Sequence, residues 1–213
     1  MRMAEFRLYC FAQSGNAFKA ALMLNLCKAD WEPRFVDFFN GEARTPEYRA
    51  LNVMGEVPLL EHAGGRLAQS GVILDFLAER FGRFGAADAD ERREILRWLL
   101  WDNHKLTSYI ATLRFMLQFA KTGETPVTEF LRGRMKGALG VLNTHLQTRR
   151  FAIGDNATIA DLSMCGYLYW PDEFGVDWVD YPNVGRWLAA IATLPGWVHP
   201  YKLMPGHPLP AKA

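Results

Sequence analysis

Apolar positions along the chain fall into runs whose spacing changes partway through. Phe6 to Phe11 is a nearly continuous apolar run with turn-rich Ala12-Gln13-Ser14-Gly15-Asn16 behind it, which predicts a short buried strand and a loop. Ala17 to Lys28 then has helix-forming composition. Pro33 to Phe38 predicts a second strand, and Thr45-Pro46-Glu47 a helix start, with Thr as N-cap and Pro where its missing N–H costs nothing. Val57 to His62 and Arg66 to Ala68 flank Ala63-Gly64-Gly65, the pattern of a hairpin. Gln69-Ser70 opens a further helix, because Val72, Ile73, Phe76, Leu77 and Phe81 recur at the helical period. The first 82 residues thus read β-α-β-α-β-β-α, and a β-α-β start implies parallel pairing.

The period lapses over Gly82-Arg83-Phe84-Gly85-Ala86-Ala87, which sets a domain linker between residues 1–82 and 88–213. The second part reads as all-helical. Asp88 with Glu91 begins one long helix through Ile95, Trp98, Leu99, Asp102, Leu106, Tyr109 and Leu113. Thr125-Pro126 begins another that runs to about Gln147; Thr158-Ile159-Ala160-Asp161 caps a third, Leu162 to Tyr169; Tyr181-Pro182 begins a last one that ends near Leu194. The Pro-, Gly- and aromatic-rich stretch from Gly196 to Pro208 is expected to pack back on this helical half. The fold class is therefore α/β followed by all-α.

Half the residues are apolar and 24 Lys+Arg balance 23 Asp+Glu, so disorder and an electrostatic grip on nucleic acid are both disfavoured. The short basic run Arg132-Gly133-Arg134-Met135-Lys136 reads as a solvated helix face. No apolar run approaches a membrane span and the first residues are too charged for a signal peptide, so the expected location is cytoplasmic, with no membrane partner. Cys10, Cys27 and Cys165 are too few and too scattered for a disulfide framework or zinc set, and His199 and His207 lack partners for a metal, so none is expected.

Candidate chemistry gathers at element ends in the first half. Ser14-Gly15-Asn16 puts a hydroxyl and an amide beside the free N–H groups of a helix start, which suits an anion such as a thiolate; an ordinary helix cap explains the same residues. Val57-Pro58 stands before a strand, where a cis bond turns the Val57 backbone toward a peptide-like ligand and a trans bond is an ordinary strand start. Gln69-Ser70 offers a helix N-terminus to a carboxylate and an amide oxygen to an ammonium, or again a simple cap.

Taken jointly, Ser14-Gly15-Asn16 with Phe18-Lys19, Asn52-Val53-Met54-Gly55-Glu56-Val57-Pro58, Gln69-Ser70 with Ile73-Leu74 and Leu77-Ala78, and Thr158 to Asp161 resemble a cytosolic glutathione transferase of bacterial type. The resemblance spans nearly the whole chain. It implies a thioredoxin-like first domain that binds glutathione as a co-substrate, without a metal, and a helical second domain that contributes the electrophile pocket. Carried over, Val57 and Pro58 meet the cysteinyl part of glutathione, Gln69 and Ser70 hold its γ-glutamyl end, and Ser14, with Asn16 second, lies near the sulfur. Arg44 either reaches the glycyl carboxylate or lies in a solvated loop. Thr158 and Asp161 match the family's structural cap. One departure is Gln69, where most members have Glu, which removes a charge from the ammonium contact. Another is that Tyr9 and Cys10 sit on the strand and read as packed.

The implied activity is attack of an activated glutathione thiolate on a small-molecule electrophile, a mixed disulfide or a peroxide, by a homodimeric transferase engaged in detoxification. A dedicated disulfide-bond reductase and a non-catalytic scaffold of the same fold are the competing readings. The second substrate is expected between the domains against the long helix, where helical spacing offers Trp101, His104, Lys105, Ser108, Tyr109 and Thr112; an ordinary core or exposed face explains them as easily.

Overall fold

A computed structural model describes residues 4–209. Strands β1 (Phe6–Cys10), β2 (Trp31–Phe35), β3 (Leu59–His62) and β4 (Gly65–Ala68) form one sheet in the order β2-β1-β3-β4. β1 and β2 are parallel, joined through helix α1 (Gly15–Leu26), and the other pairings are antiparallel. β2 starts two residues earlier than its apolar pattern predicts and stops at Phe35, with Val36 N–H donating to the carbonyl of Cys10 (3.0 Å) before the chain turns away. Pro33 is tolerated inside it because β2 is an edge strand.

The alternation of β1 sorts its side chains to two layers. Phe6 packs its ring 5.8 Å from that of Phe81, which lies on helix α3 (Ser70–Phe81), and α1 and α3 pack together beside it. Tyr9 points the other way, into a cluster with Val36, Ala43, Tyr48 and Leu59. Tyr48 belongs to α2 (Pro46–Leu51), whose start is as predicted: Thr45 Oγ1 accepts from Tyr48 N–H (3.2 Å) and Pro46 fills the first helical position.

The helical part departs from simple periodicity. Asp88 accepts from the N–H groups of Asp90 (2.9 Å) and Glu91 (2.8 Å) and starts α4 (Ala89–Trp101) as expected. The single long helix is instead interrupted: a π-helical turn, Asp102–Leu106, separates α4 from α5 (Thr107–Arg114), and a second one, Phe115–Phe119, follows. Asp102 is wholly buried and accepts from Thr107 Oγ1 (2.8 Å), five residues on, and from Ser163 Oγ (2.6 Å). Satisfying that buried carboxylate accounts for the widened turn. Then come α6 (Pro126–His145), α7 (Ile159–Met164), α8 (Pro182–Ala192) and α9 (Pro200–Leu203). α7 is shorter than predicted, tightening to a 3-10 turn at Cys165. The Thr158–Asp161 capping box is present, and the buried Asp161 also accepts from Ala152 N–H and Trp187 Nε1 (2.8 Å each).

The tail from Gly196, expected against the helical half, groups instead with the first unit. Asn25 Nδ2 donates to the Gly196 carbonyl (2.5 Å), Ala12 N–H to Pro205 (2.7 Å) and Gln13 Nε2 to Gly206 (2.7 Å), so the tail satisfies donors at the two ends of α1. Close approach dictates its glycines: at Gly206, with φ +93°, a Cβ would fall 2.4 Å from the Phe35 ring. The described residues up to Arg83 and from Leu194 onward form one compact unit, and Phe84–Thr193 form the other.

Candidate functional site

Strand register brings three of the singled-out segments to one end of the sheet. Tyr9 pairs with Leu59, and Leu59 with Ala68, so the loop after β1, Val57-Pro58 before β3 and Gln69-Ser70 after β4 all leave the sheet at the carboxyl ends of β1 and β2. In open sheets with parallel strands that edge is where ligands lodge.

Ser14 serves as the N-cap of α1: its Oγ accepts from Ala17 N–H at 3.1 Å. Accepting leaves its O–H proton available to donate, so capping and anion binding are compatible roles. Ser14 is buried, 5% exposed. Asn16, one turn position later, has its Oδ1 shut from solvent with no hydrogen-bond partner. Tyr9 and Cys10 are packed as expected. Tyr9 donates to Glu61 Oε2 (3.2 Å), and burial, with Glu61 adding to it, raises its phenol above the ordinary range. Burial likewise pushes the Cys10 thiol up to about 12.

The Val57–Pro58 peptide is cis, and the ladder of β3 begins only at Leu59, so Val57 lies outside it. The preceding loop is firmly held. The Glu56 carbonyl accepts from Tyr48 Oη (2.9 Å) and Asn52 Nδ2 (2.8 Å), and Asn52 Oδ1 accepts from Met54 N–H (3.2 Å). Gly55, at φ +63°, passes so close to residue 43 that a Cβ would sit 2.8 Å from the Ala43 carbonyl oxygen. That approach ties the segment carrying Arg44 to the Val57 loop; Arg44 itself is exposed.

Gln69 caps α3 with φ +69°, a conformation that costs a non-glycine residue about 1–3 kcal/mol and recurs at ligand sites. Its exposed amide donates to Glu56 Oε2 (3.2 Å) and to Met54 Sδ (2.9 Å). Ser70, at the first turn of α3, is buried. Glu56 was not singled out by sequence reasoning. Its only signal was its place in the motif before Val57.

Helical geometry divides the six second-substrate candidates. Trp101, Lys105 and Tyr109 share one stripe, which lines a groove of about 290 Å³ against Gly133, Arg134, Gly137, Ala138 and Val141 of α6. His104, Ser108 and Thr112 are exposed outside that groove. Arg134 is therefore more than part of a solvated face. Its guanidinium donates to Tyr109 Oη (3.3 Å), and that bond, with Lys105 adding a weaker attraction, holds the phenol below its ordinary range. Periodicity missed this because Arg134 and Tyr109 lie on different helices.

Among the described residues no group of three or more His, Cys, Asp or Glu side chains is placed to hold a metal, and no helix is long and apolar enough to cross a membrane.

Comparison with known proteins gives a consistent picture. Residues 4–79 match the family model for the glutathione S-transferase N-terminal domain, and residues 104–195 that for the C-terminal domain. A glutathione S-transferase-like protein from Fusarium sp is 31% identical over 199 residues, covering 87% of this chain and 88% of that protein. The crystal structure of a possible glutathione S-transferase from Rhodopseudomonas palustris superposes with a TM-score of 0.86 at 34% identity, covering 92% of this chain and 89% of that one. That of a Burkholderia graminis glutathione transferase, with two glutathione molecules bound per subunit, has a TM-score of 0.79 at 26% identity, covering 91% and 85%.

Proposed function

The chain belongs to the glutathione S-transferase family, and on that premise we propose that it is an enzyme which binds glutathione at the carboxyl end of its sheet and activates the thiol for attack on a second substrate. The observation that carries this reading is the convergence, through strand register, of the Ser14 loop, Val57-Pro58 and Ser70. Ser70 and the first-turn N–H groups of α3 take the γ-glutamyl carboxylate, since a helix start attracts negative charge. Val57 pairs its backbone with the cysteinyl unit, and exposed Arg44 takes the glycyl carboxylate.

Ser14 then donates its O–H to the sulfur, with Asn16 as the second donor. A free thiol has pKa ~8.5, so lowering it by two units requires about 2.7 kcal/mol of preference for the thiolate. A hydrogen bond to a charged group gives ~1.5–3 and a helix N-terminus ~0.3–1 kcal/mol, which together suffice. The thiolate forms a bond to an electrophilic carbon as the leaving group departs with its electron pair, or to one sulfur of a mixed disulfide as the other leaves as thiolate.

The second substrate lies against Trp101, Lys105 and Tyr109, where two cations and an aromatic wall suit a flat electrophile bearing an acidic group; His104, Ser108 and Thr112 are secondary contacts. A cytoplasmic homodimer with a detoxifying role completes the reading. The exposed apolar residues Leu96 and Leu100 of α4 and Val127, Phe130 and Val141 of α6 support self-association.

Glutathione calorimetry, run beside steady-state rates on an aromatic halide and a glutathionylated disulfide, tests the proposal. Micromolar to millimolar binding with halide turnover is the expected result. Turnover of the disulfide alone makes the protein a disulfide-bond reductase. No binding makes it a scaffold of this fold and refutes the proposal.

A further inference from the structure

Glutathione presents an α-ammonium beside the α-carboxylate of its γ-glutamyl end, so a subsite that takes the carboxylate at Ser70 must also meet a positive charge carried on the same carbon. Gln69 is neutral and supplies at most an amide oxygen. The nearest anion is Glu56, whose Oε2 lies 3.2 Å from Gln69 Nε2. Among the described residues no cation forms an ion pair with Glu56; its carboxylate's hydrogen-bond partner is the Gln69 amide. Its backbone is fixed by Tyr48, Asn52 and the close passage of Gly55 over Ala43, so the carboxylate is delivered from a rigid loop.

From this juxtaposition we infer that Glu56 is a specificity-determining residue that recognises the α-ammonium of the γ-glutamyl group, with Gln69 orienting it. The charge that Gln69 lacks comes from across the turn. With Nε2 committed to Glu56, the Gln69 oxygen is free to accept from the same ammonium, so the pair offers two acceptors to one cation. The inference rests on glutathione being the ligand proposed above.

The test compares calorimetric binding of glutathione and of its desamino analogue, glutaryl-cysteinyl-glycine, to wild type, Glu56→Gln, Gln69→Glu and the double variant. Glu56→Gln is expected to weaken glutathione about tenfold, since a hydrogen bond to a charged group is worth roughly one order of magnitude, and to leave the desamino analogue unchanged. Adding Gln69→Glu to Glu56→Gln restores binding by returning a carboxylate to the subsite. Gln69→Glu alone does not tighten binding, because two carboxylates then crowd one ammonium. Equal glutathione affinity in wild type and Glu56→Gln overturns the inference. Equal weakening of both ligands also overturns it, because the loop then acts through shape alone. Absence of glutathione binding in wild type instead refutes the parent proposal. A thermal melt of each variant separates misfolding from lost recognition.

Discussion

Replacing Ser14 by Ala separates the capping role that the structure shows from the sulfur-donating role proposed for the same oxygen. The hydroxyl accepts from Ala17 N–H at 3.1 Å, and losing an N-cap costs about 1 kcal/mol. For a chain of 213 residues that lowers the melting temperature by roughly 2–4 °C. Its second role, donation to the bound sulfur, is worth ~1.5–3 kcal/mol, which at 1.36 kcal/mol per unit raises the thiol pKa of bound glutathione by about one to two units. With the bound thiol starting near 6.5, two units below ~8.5, the thiolate fraction at pH 7, and the rate of its attack with it, then falls by about three- to twenty-five-fold. Ultraviolet thiolate absorbance of the complex, titrated with pH, reads the shift directly, and the pH profile of kcat should move in parallel. Ser14→Thr keeps the hydroxyl and should restore both properties. A Ser14→Ala protein that loses stability while its bound thiol titrates unchanged refutes the reasoning: Ser14 would be a cap only, and Asn16→Ala would be expected to carry the shift.

Three further outcomes follow from packing. Asp161→Ala strips the acceptor from Ala152 N–H, Thr158 N–H and Trp187 Nε1, each buried, and at ~1–3 kcal/mol per orphaned donor should cost at least about 3 kcal/mol in denaturant unfolding. Gly55→Ala combines a left-handed φ of +63° with a Cβ 2.8 Å from the Ala43 carbonyl, so it should lose roughly 1–2 kcal/mol or more and weaken glutathione binding in calorimetry. Burial holds the Cys10 thiol at about 12, above its unfolded value, so folding binds that proton more tightly; its contribution is complete below pH ~8.5 and drains away as pH rises toward 12. Wild type should therefore lose stability relative to Cys10→Ala by about 1.4 kcal/mol per pH unit above that point, as read by alkaline unfolding.

What local pattern could express, the chain expresses clearly. Thr45-Pro46, Asp88, Thr125-Pro126 and Thr158 are helix starts whose caps are made by neighbours in sequence, and each appears where it is predicted. The order β-α-β-α-β-β-α follows from punctuation and period for the same reason. Features that depend on distant partners were hidden. The widened turn at Asp102 depends on Ser163, and the division between Tyr109 and Thr112 is decided by where α6 lies. The site was half legible: Ser14, Val57 and Ser70 sit at element ends that the sequence marks, whereas Glu56 acquires meaning only once Gln69 stands beside it.

The path of the tail bears on how the protein is made. Gln13, next to Ser14, donates to a carbonyl 193 residues further along, and Ala12 beside it depends on Pro205. During synthesis the sheet and α1 emerge early, yet these two anchors of the loop arrive only after the entire intervening helical unit has been translated. A loop made early is thus completed by a segment translated well after it, and a nascent chain that has not reached residue 205 lacks these two anchors of the loop before α1. Additions or deletions near residue 205 are accordingly changes to the neighbourhood of Ser14, however remote they look on paper.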